Sequence, residues 1–218
     1  YALAKTLGKQ LWETEVSRFG GCCFDASMQD GIGWASSVHA ALTNAEVTAW
    51  HYWQLVQDQS ANENDNAGLV AGGIAGASPD PPFVLQTTKR TFTLGNFSKF
   101  LRPGWVRVTT NTAACSYLLC SAYKNPATGD FAVVVINNSG NSPAVTVTLS
   151  GVSTITTPVQ PWVTSASADL QLQSPVTASG ASFTATLAPL SVTTFSGRGS
   201  TTPVDTTPPT PPTALIVR

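Results

Sequence analysis

The sequence predicts a multi-domain chain that begins as a portion of an α/β (TIM-type) barrel and continues as an all-β antiparallel sandwich. Up to about residue 101, strand-like and helix-like apolar spacings alternate. Past Gly104 only short β-rich runs separated by turn residues follow. From Arg198 a Pro/Thr-rich stretch breaks both patterns. At 218 residues the chain is long enough to bury a proper core. The expected division is a barrel part over 1–101, a sandwich side domain over 102–197, a linker over 198–213 and the start of another module over 214–218.

Taken in order, Gln10 to Val16 reads as a buried strand, followed by a Gly- and Cys-containing loop through Gln29. A helix starts near Asp30, because Ile32, Trp34, Ala35, Val38, Ala41 and Leu42 recur at helical spacing, and Asn44 stops it. A second strand is expected over Glu46 to Val56, then a long polar, Gly/Pro-rich loop to about Thr87. Phe92, Phe97, Phe100 and Leu101 mark a second helix that ends before Arg102, Pro103 and Gly104.

The expected sandwich strands are Val106 to Thr109, Tyr117 to Tyr123, Phe131 to Asn137, Ala144 to Leu149, Pro161 to Thr164, Phe183 to Leu187 and Val192 to Phe195. Turns fall at Asn125 to Gly129 and Asn137 to Asn141. Val145, Val147 and Leu149 alternate with Thr146 and Thr148, giving one buried and one wet face. The terminal Ala214 to Val217, after the segment DTTPPTPPT, resembles the opening of a fibronectin type III module.

Composition narrows the partners. Charged residues are 11% of the chain and the formal net charge is -1. Without a Lys/Arg run there is no field to attract phosphates, so nucleic acid and anionic membranes are excluded as partners and neutral polymers favoured. No apolar stretch is long enough to cross a bilayer. Four cysteines, Cys22, Cys23, Cys115 and Cys120, are compatible with disulfides and allow three full pairings. Only two histidines exist and neither lies at zinc spacing from a cysteine, so no metal and no cofactor are expected. The polar run Asn62, Glu63, Asn64, Asp65, Asn66 has calcium-type oxygen ligands, but reads better as a solvated loop.

In a barrel, functional groups sit at the C-terminal ends of the strands. Glu15 ends the first strand-like run, and Trp50, His51, Tyr52, Trp53 and Gln54 end the second. A carboxylate and an aromatic cluster on neighbouring strand ends suit glycan cleavage. The carboxylate attacks the anomeric carbon, and Trp53 with Trp50 or Tyr52 stacks on pyranose rings. Glu13 shares strand parity with Glu15, which predicts the same face about 7 Å away. Two positions on one strand cannot flank a scissile bond, so Glu13 is not expected to be the acid partner of Glu15. His39 reads as a packing histidine, and His51 either orients a carboxylate or is buried structurally.

The ordered series of motifs resembles glycoside hydrolase family 30. KQLWETEVS resembles the seventh-strand motif whose final Glu is the nucleophile, here Glu15, and AWHYWQL resembles the eighth strand, where Trp53 matches a substrate-contacting tryptophan. LGNFSKFLRPGWVRV, SAYKNPATGDFAVVVINNS and LAPLSVTTFSG resemble the crossing to the side domain and its central and closing strands. The resemblance implies a (β/α)8 barrel with a side sandwich that hydrolyses β-linked glycans with retention. It also implies a secreted, monomeric endo-glycanase acting on xylan, β-1,6-galactan or β-1,6-glucan. A complete barrel needs about 250 residues, so this chain is expected to hold its last two βα units without the acid/base Glu of the fourth strand. It is therefore expected to be inactive alone. Glucuronate-specific relatives carry an Arg just past the eighth-strand Trp, whereas Val56 and Gln57 stand here, so strict glucuronate dependence is not expected. The rival reading is a non-catalytic carbohydrate-binding protein, and a third is a spacer between modules.

Overall fold

The computed structural model describes residues 2–17, 25–58, 68–72, 85–111 and 117–200. The element order opens with a short helix α1 (Ala2–Thr6), which has no buried residue, and strand β1 (Trp12–Val16). Helix α2 (Met28–Thr43) follows, then β2 (Ala49–Tyr52), which pairs with β1 in parallel. Ser27 caps α2 by accepting from the Asp30 N–H at 3.3 Å, and Asp30 sits in the first turn, where a carboxylate suits the helix dipole. Met28, Ile32, Ala35, Val38 and Ala41 recur every three or four residues and form the buried face. Past the Asn44 cap, Glu46 takes a left-handed backbone (φ 50°), so the chain leaves the helix sharply and β2 starts later than expected.

β2 also ends earlier than the expected strand, which reached Val56. Beyond Tyr52 the chain turns, and β3 (Val56–Asp58), β4 (Val70–Gly72) and β5 (Leu85–Thr87) form a separate three-stranded sheet inside what reads from sequence as one long loop. Helix α3 (Lys89–Ser98) comes next, with Thr88 at its start giving its hydroxyl to the Leu69 carbonyl at 2.7 Å.

The remainder is antiparallel. β6 (Val106–Val108), β7 (Leu118–Lys124), β8 (Asp130–Asn137), β10 (Gln160–Ser165), β11 (Ala168–Leu172) and β13 (Ser191–Arg198) make a six-stranded sheet in the order β11-β10-β13-β8-β7-β6. β9 (Ala144–Thr148) and β12 (Ser182–Thr186) pair with each other and cover one face of that sheet. β11 and α1 are additions to the elements expected from sequence; Leu170 in β11 has φ 50°, a backbone that strand spacing does not announce.

β8 shows why this sheet holds the molecule together. Seven of its eight residues, Phe131 to Asn137, are buried because both of its faces are covered. Val134 and Ile136 meet Ile32, Ala35 and Val38 of α2 and Phe97 of α3. Val133 and Val135, with Phe131, meet Phe183 of β12 and the half-buried Val145 and Val147 of β9. On the outer side of β9, Thr146 and Thr148 bond Thr184 and Ser182 hydroxyl to hydroxyl at 2.9 and 2.8 Å, so the expected alternation is present. Cys120 of β7 is a free thiol whose burial pushes it up to about 11; Cys22, Cys23 and Cys115 lie outside the described residues, as do Asn62 to Asn66 and 201–218.

Candidate active site

The β1–β2 pair positions every sequence-predicted site residue. Its register runs Trp12 opposite Ala49, Glu13 opposite Trp50 and Val16 opposite Tyr52, with one extra residue on β1 between Glu13 and Val16. Paired residues share a face, so Glu13, Val16, Trp50 and Tyr52 lie on one side. The extra residue carries both Thr14 and Glu15 to the other side, which Trp12 already occupies. Exposure follows the same division. Trp12, Thr14 and Glu15 are exposed, whereas Glu13 and Val16 are half-buried. The expected shared face of Glu13 and Glu15 is thus corrected: strict parity fails where the strand bulges.

Immediately past β2, the Trp53 N–H donates to the Val16 carbonyl at 2.8 Å, which pins Trp53 beside the end of β1. Trp53 is 45% exposed, and the Trp53–Gln54 peptide is cis. Gln54 and Leu55 carbonyls then accept from the Leu69 and Val70 N–H groups at 2.9 and 2.8 Å, which ties the small sheet β3-β4-β5 to the same rim. His51 is exposed rather than buried, on the strand position between Trp50 and Tyr52 and so on the face opposite them.

Trp50 and Tyr52 are directed elsewhere. Both rings meet Trp34 of α2 edge-on, at centroid separations of 6.5 and 4.8 Å, and Trp50 packs against the core under α2. The Tyr52 hydroxyl accepts from Arg90 Nη1 of α3 at 3.0 Å. Arg90 is fully buried and pairs with Asp30, its Nε 2.8 Å from Asp30 Oδ2. By register Glu15, Trp12 and His51 lie on the open face of the strand pair and Trp53 follows directly past its end, whereas Trp50 and Tyr52 are held on the helix side. Sequence reasoning placed Asp30 at the start of the helix and Trp34 on its apolar stripe, but gave neither of them, nor Arg90, a part in the site. Their signal was a charge or an indole near the inward stripe of an amphipathic helix, Arg90 three residues before the buried Thr93 and Trp34 four before the buried Val38.

His39 lies on α2, away from this rim. Burial, and then the nearby Arg107 guanidinium, hold its imidazole below the usual histidine range. Among the described residues no group of three or more His, Cys, Asp or Glu side chains could hold a metal ion. No helix among them is long and apolar enough to cross a membrane.

No family model matches the chain. Glucuronoxylanase XynC of Bacillus subtilis (strain 168) is 28% identical over 192 residues, which is 88% of this chain and 40% of that protein. A family 30 subfamily 8 xylanase, Xyn30A, from Clostridium acetobutylicum superposes with a TM-score of 0.73 at 27% identity, covering 91% of this chain and 45% of that one. A family 30 endoxylanase from Clostridium papyrosolvens C71 gives 0.71 at 25% identity, with the same coverage of 91% and 45%. The chain thus spans about two fifths of the length of the curated relatives that it matches. In both sequence and fold it is similar to the C-terminal part of glycoside hydrolase family 30 enzymes.

Proposed function

We propose that this chain carries the nucleophile side of the active site of a retaining, secreted endo-β-glycanase. Glu15 is the nucleophile and Trp53 the principal sugar platform, while Trp50 and Tyr52 fix the strand end from the helix side. The observation that carries this reading is the 2.8 Å hydrogen bond from the Trp53 N–H to the Val16 carbonyl, which ties the exposed Trp53 to the end of the strand that bears the exposed Glu15. In such an enzyme a carboxylate attacks the anomeric carbon, and a second carboxylic acid about 5 to 5.5 Å away protonates the leaving oxygen. An aromatic face holds the sugar in register during both steps.

Residues 1–101 fit the last two βα units of a (β/α)8 barrel, and 102–197 fit its sandwich side domain. The acid/base Glu then belongs to a part of the barrel that this chain does not contain, and the chain alone is inactive. The substrate class is a neutral or lightly substituted hemicellulose such as xylan, with β-1,6-galactan and β-1,6-glucan as the other members. Two observations favour neutrality. Val56, just past the rim, is apolar and 44% exposed. Arg90, a cation on the following helix, is buried against Asp30 and so withheld from a bound glucuronate.

In full-length protein, Glu15→Gln is expected to lower polysaccharide cleavage by about 10³-fold or more while leaving binding within a few-fold. Unchanged turnover would favour a non-catalytic carbohydrate-binding protein. On a substrate panel, unsubstituted xylan should be cleaved as well as glucuronoxylan; dependence on glucuronate would overturn the neutral-substrate reading.

A further inference from the structure

We infer that Arg90 is a positioning residue for the Glu15/Trp53 rim, an inference that rests on the glycanase reading above. Its guanidinium is fully buried and reaches three separate elements. Nε lies 2.8 Å from Asp30 Oδ2 in the first turn of α2. Nη1 donates to the Tyr52 hydroxyl at 3.0 Å, at the last residue of β2. Nη2 donates to the Asp25 carbonyl at 2.7 Å, just before the Ser27 cap of α2. One residue further on, the Lys89 N–H donates to the Ala26 carbonyl at 3.3 Å, so the start of α3 grips the segment before α2 twice.

These partners stand next to the proposed chemistry. Tyr52 precedes Trp53 directly, and Trp53 is bonded to Val16 beside Glu15. The Tyr52 ring is already wedged against Trp34, which fixes its plane; the bond to Arg90 fixes where its far end sits. Stability alone does not call for this arrangement, because removing two charges from water is costly and a well-packed apolar pair joins two helices equally well. What an apolar pair lacks is directional donors. A planar fork with several N–H groups holds three acceptors at set positions, whereas a lysine ammonium on a flexible stem does not. Reacting groups tolerate little displacement, about 1 Å being enough to lose ~10²-fold in rate.

The test uses full-length protein with three changes: Tyr52→Phe, Arg90→Lys, and the apolar replacement Arg90→Met with Asp30→Leu. Hydrogen exchange at the Trp53 amide is read beside kcat and KM on unsubstituted xylan, and thermal unfolding monitors the fold. Tyr52→Phe and the apolar pair are expected to keep the melting temperature within about 5 °C of the parent. Both should speed exchange at Trp53 about tenfold or more, leave the β7 and β8 amides unchanged, and lower kcat more than they raise KM. Arg90→Lys should keep more of the stability than of the activity. Unaltered exchange at Trp53 with unaltered kcat in a folded variant would overturn the inference, as would losses that track melting temperature alone. If the parent protein cleaves no β-glycan, the glycanase reading fails, and Trp53 exchange still decides whether Arg90 sets the rim.

Discussion

Between Glu13 and Val16, β1 carries one residue more than β2 opposes, and this separates two carboxylates that lie two positions apart. Glu15 gains the open face and Glu13 sits with Trp50 on the helix side, so their environments differ although their neighbours in sequence are alike. Trp53→Ala in full-length protein should weaken oligosaccharide binding by about 1–3 kcal/mol, as loss of an aromatic stacking platform does, and isothermal titration would measure it. Trp50→Phe should instead register mainly as a change in unfolding temperature. His39 makes a separate, pH-dependent statement. Its Nδ1 is buried with no partner among the described residues, and burial followed by Arg107 holds its protonation below the usual 6.5. The unfolded chain takes up the proton first, so folding stability is unaffected above about pH 6.5 and declines as pH falls below it, until the folded form also protonates. His39→Gln should flatten that acid slope, read as the difference in melting temperature between pH 7.5 and pH 5.

At the scale of elements, α2 and α3 meet through a glycine. A methyl group on Gly31 would stand 3.0 Å from Lys89 Cβ and 3.2 Å from the Lys89 carbonyl carbon, whereas at Gly33 it would meet nothing within 4 Å. Gly31→Val is therefore expected to cost about 1–3 kcal/mol by overpacking. Gly33→Ala should be neutral or stabilising by up to ~1 kcal/mol through helix propensity. Paired denaturation curves distinguish the two. These helices also show what was legible from the residues. The apolar stripe of α2 announced both the helix and its buried face. In α3 the phenylalanines announced the helix, but the face it buries is Arg90, Thr93, Asn96 and Phe97, chiefly polar, and spacing of apolar residues cannot find such a face. The sandwich strands were legible because β8 is apolar on both faces and β9 on one. The small sheet β3-β4-β5 was not, since its three-residue strands carry too few side chains to set a period. At the site, Glu15 and Trp53 were legible as strand-end residues. The separation of Trp53 from Trp50 and Tyr52 was not, because it depends on which side Trp34 and Arg90 occupy.

For the molecule as a whole, one buried amide joins the helical part to the sheet. Asn96 of α3 donates from Nδ2 to the Trp162 carbonyl and the Thr194 hydroxyl at 2.9 and 3.1 Å, and its Oδ1 accepts from Thr164 at 2.6 Å. The core beneath α2 and α3 is also shared with β7, β8 and β13. The two parts should therefore melt together, and Asn96→Leu is expected to lower the single transition by about 2–4 kcal/mol without splitting it, since it strands buried partners that had been paired. Scanning calorimetry would show two separated transitions if the parts were independent. Such a joint would give the rim a rigid foundation, which the proposed glycoside chemistry needs. The chemistry itself is tested most directly by trapping. Full-length protein treated with an activated 2-deoxy-2-fluoro glycoside of the sugar it cleaves should accumulate a covalent glycosyl adduct, and peptide mass spectrometry should locate it on Glu15. An adduct on Glu13 or another carboxylate, or cleavage that releases a first product of inverted anomeric configuration, would contradict the account.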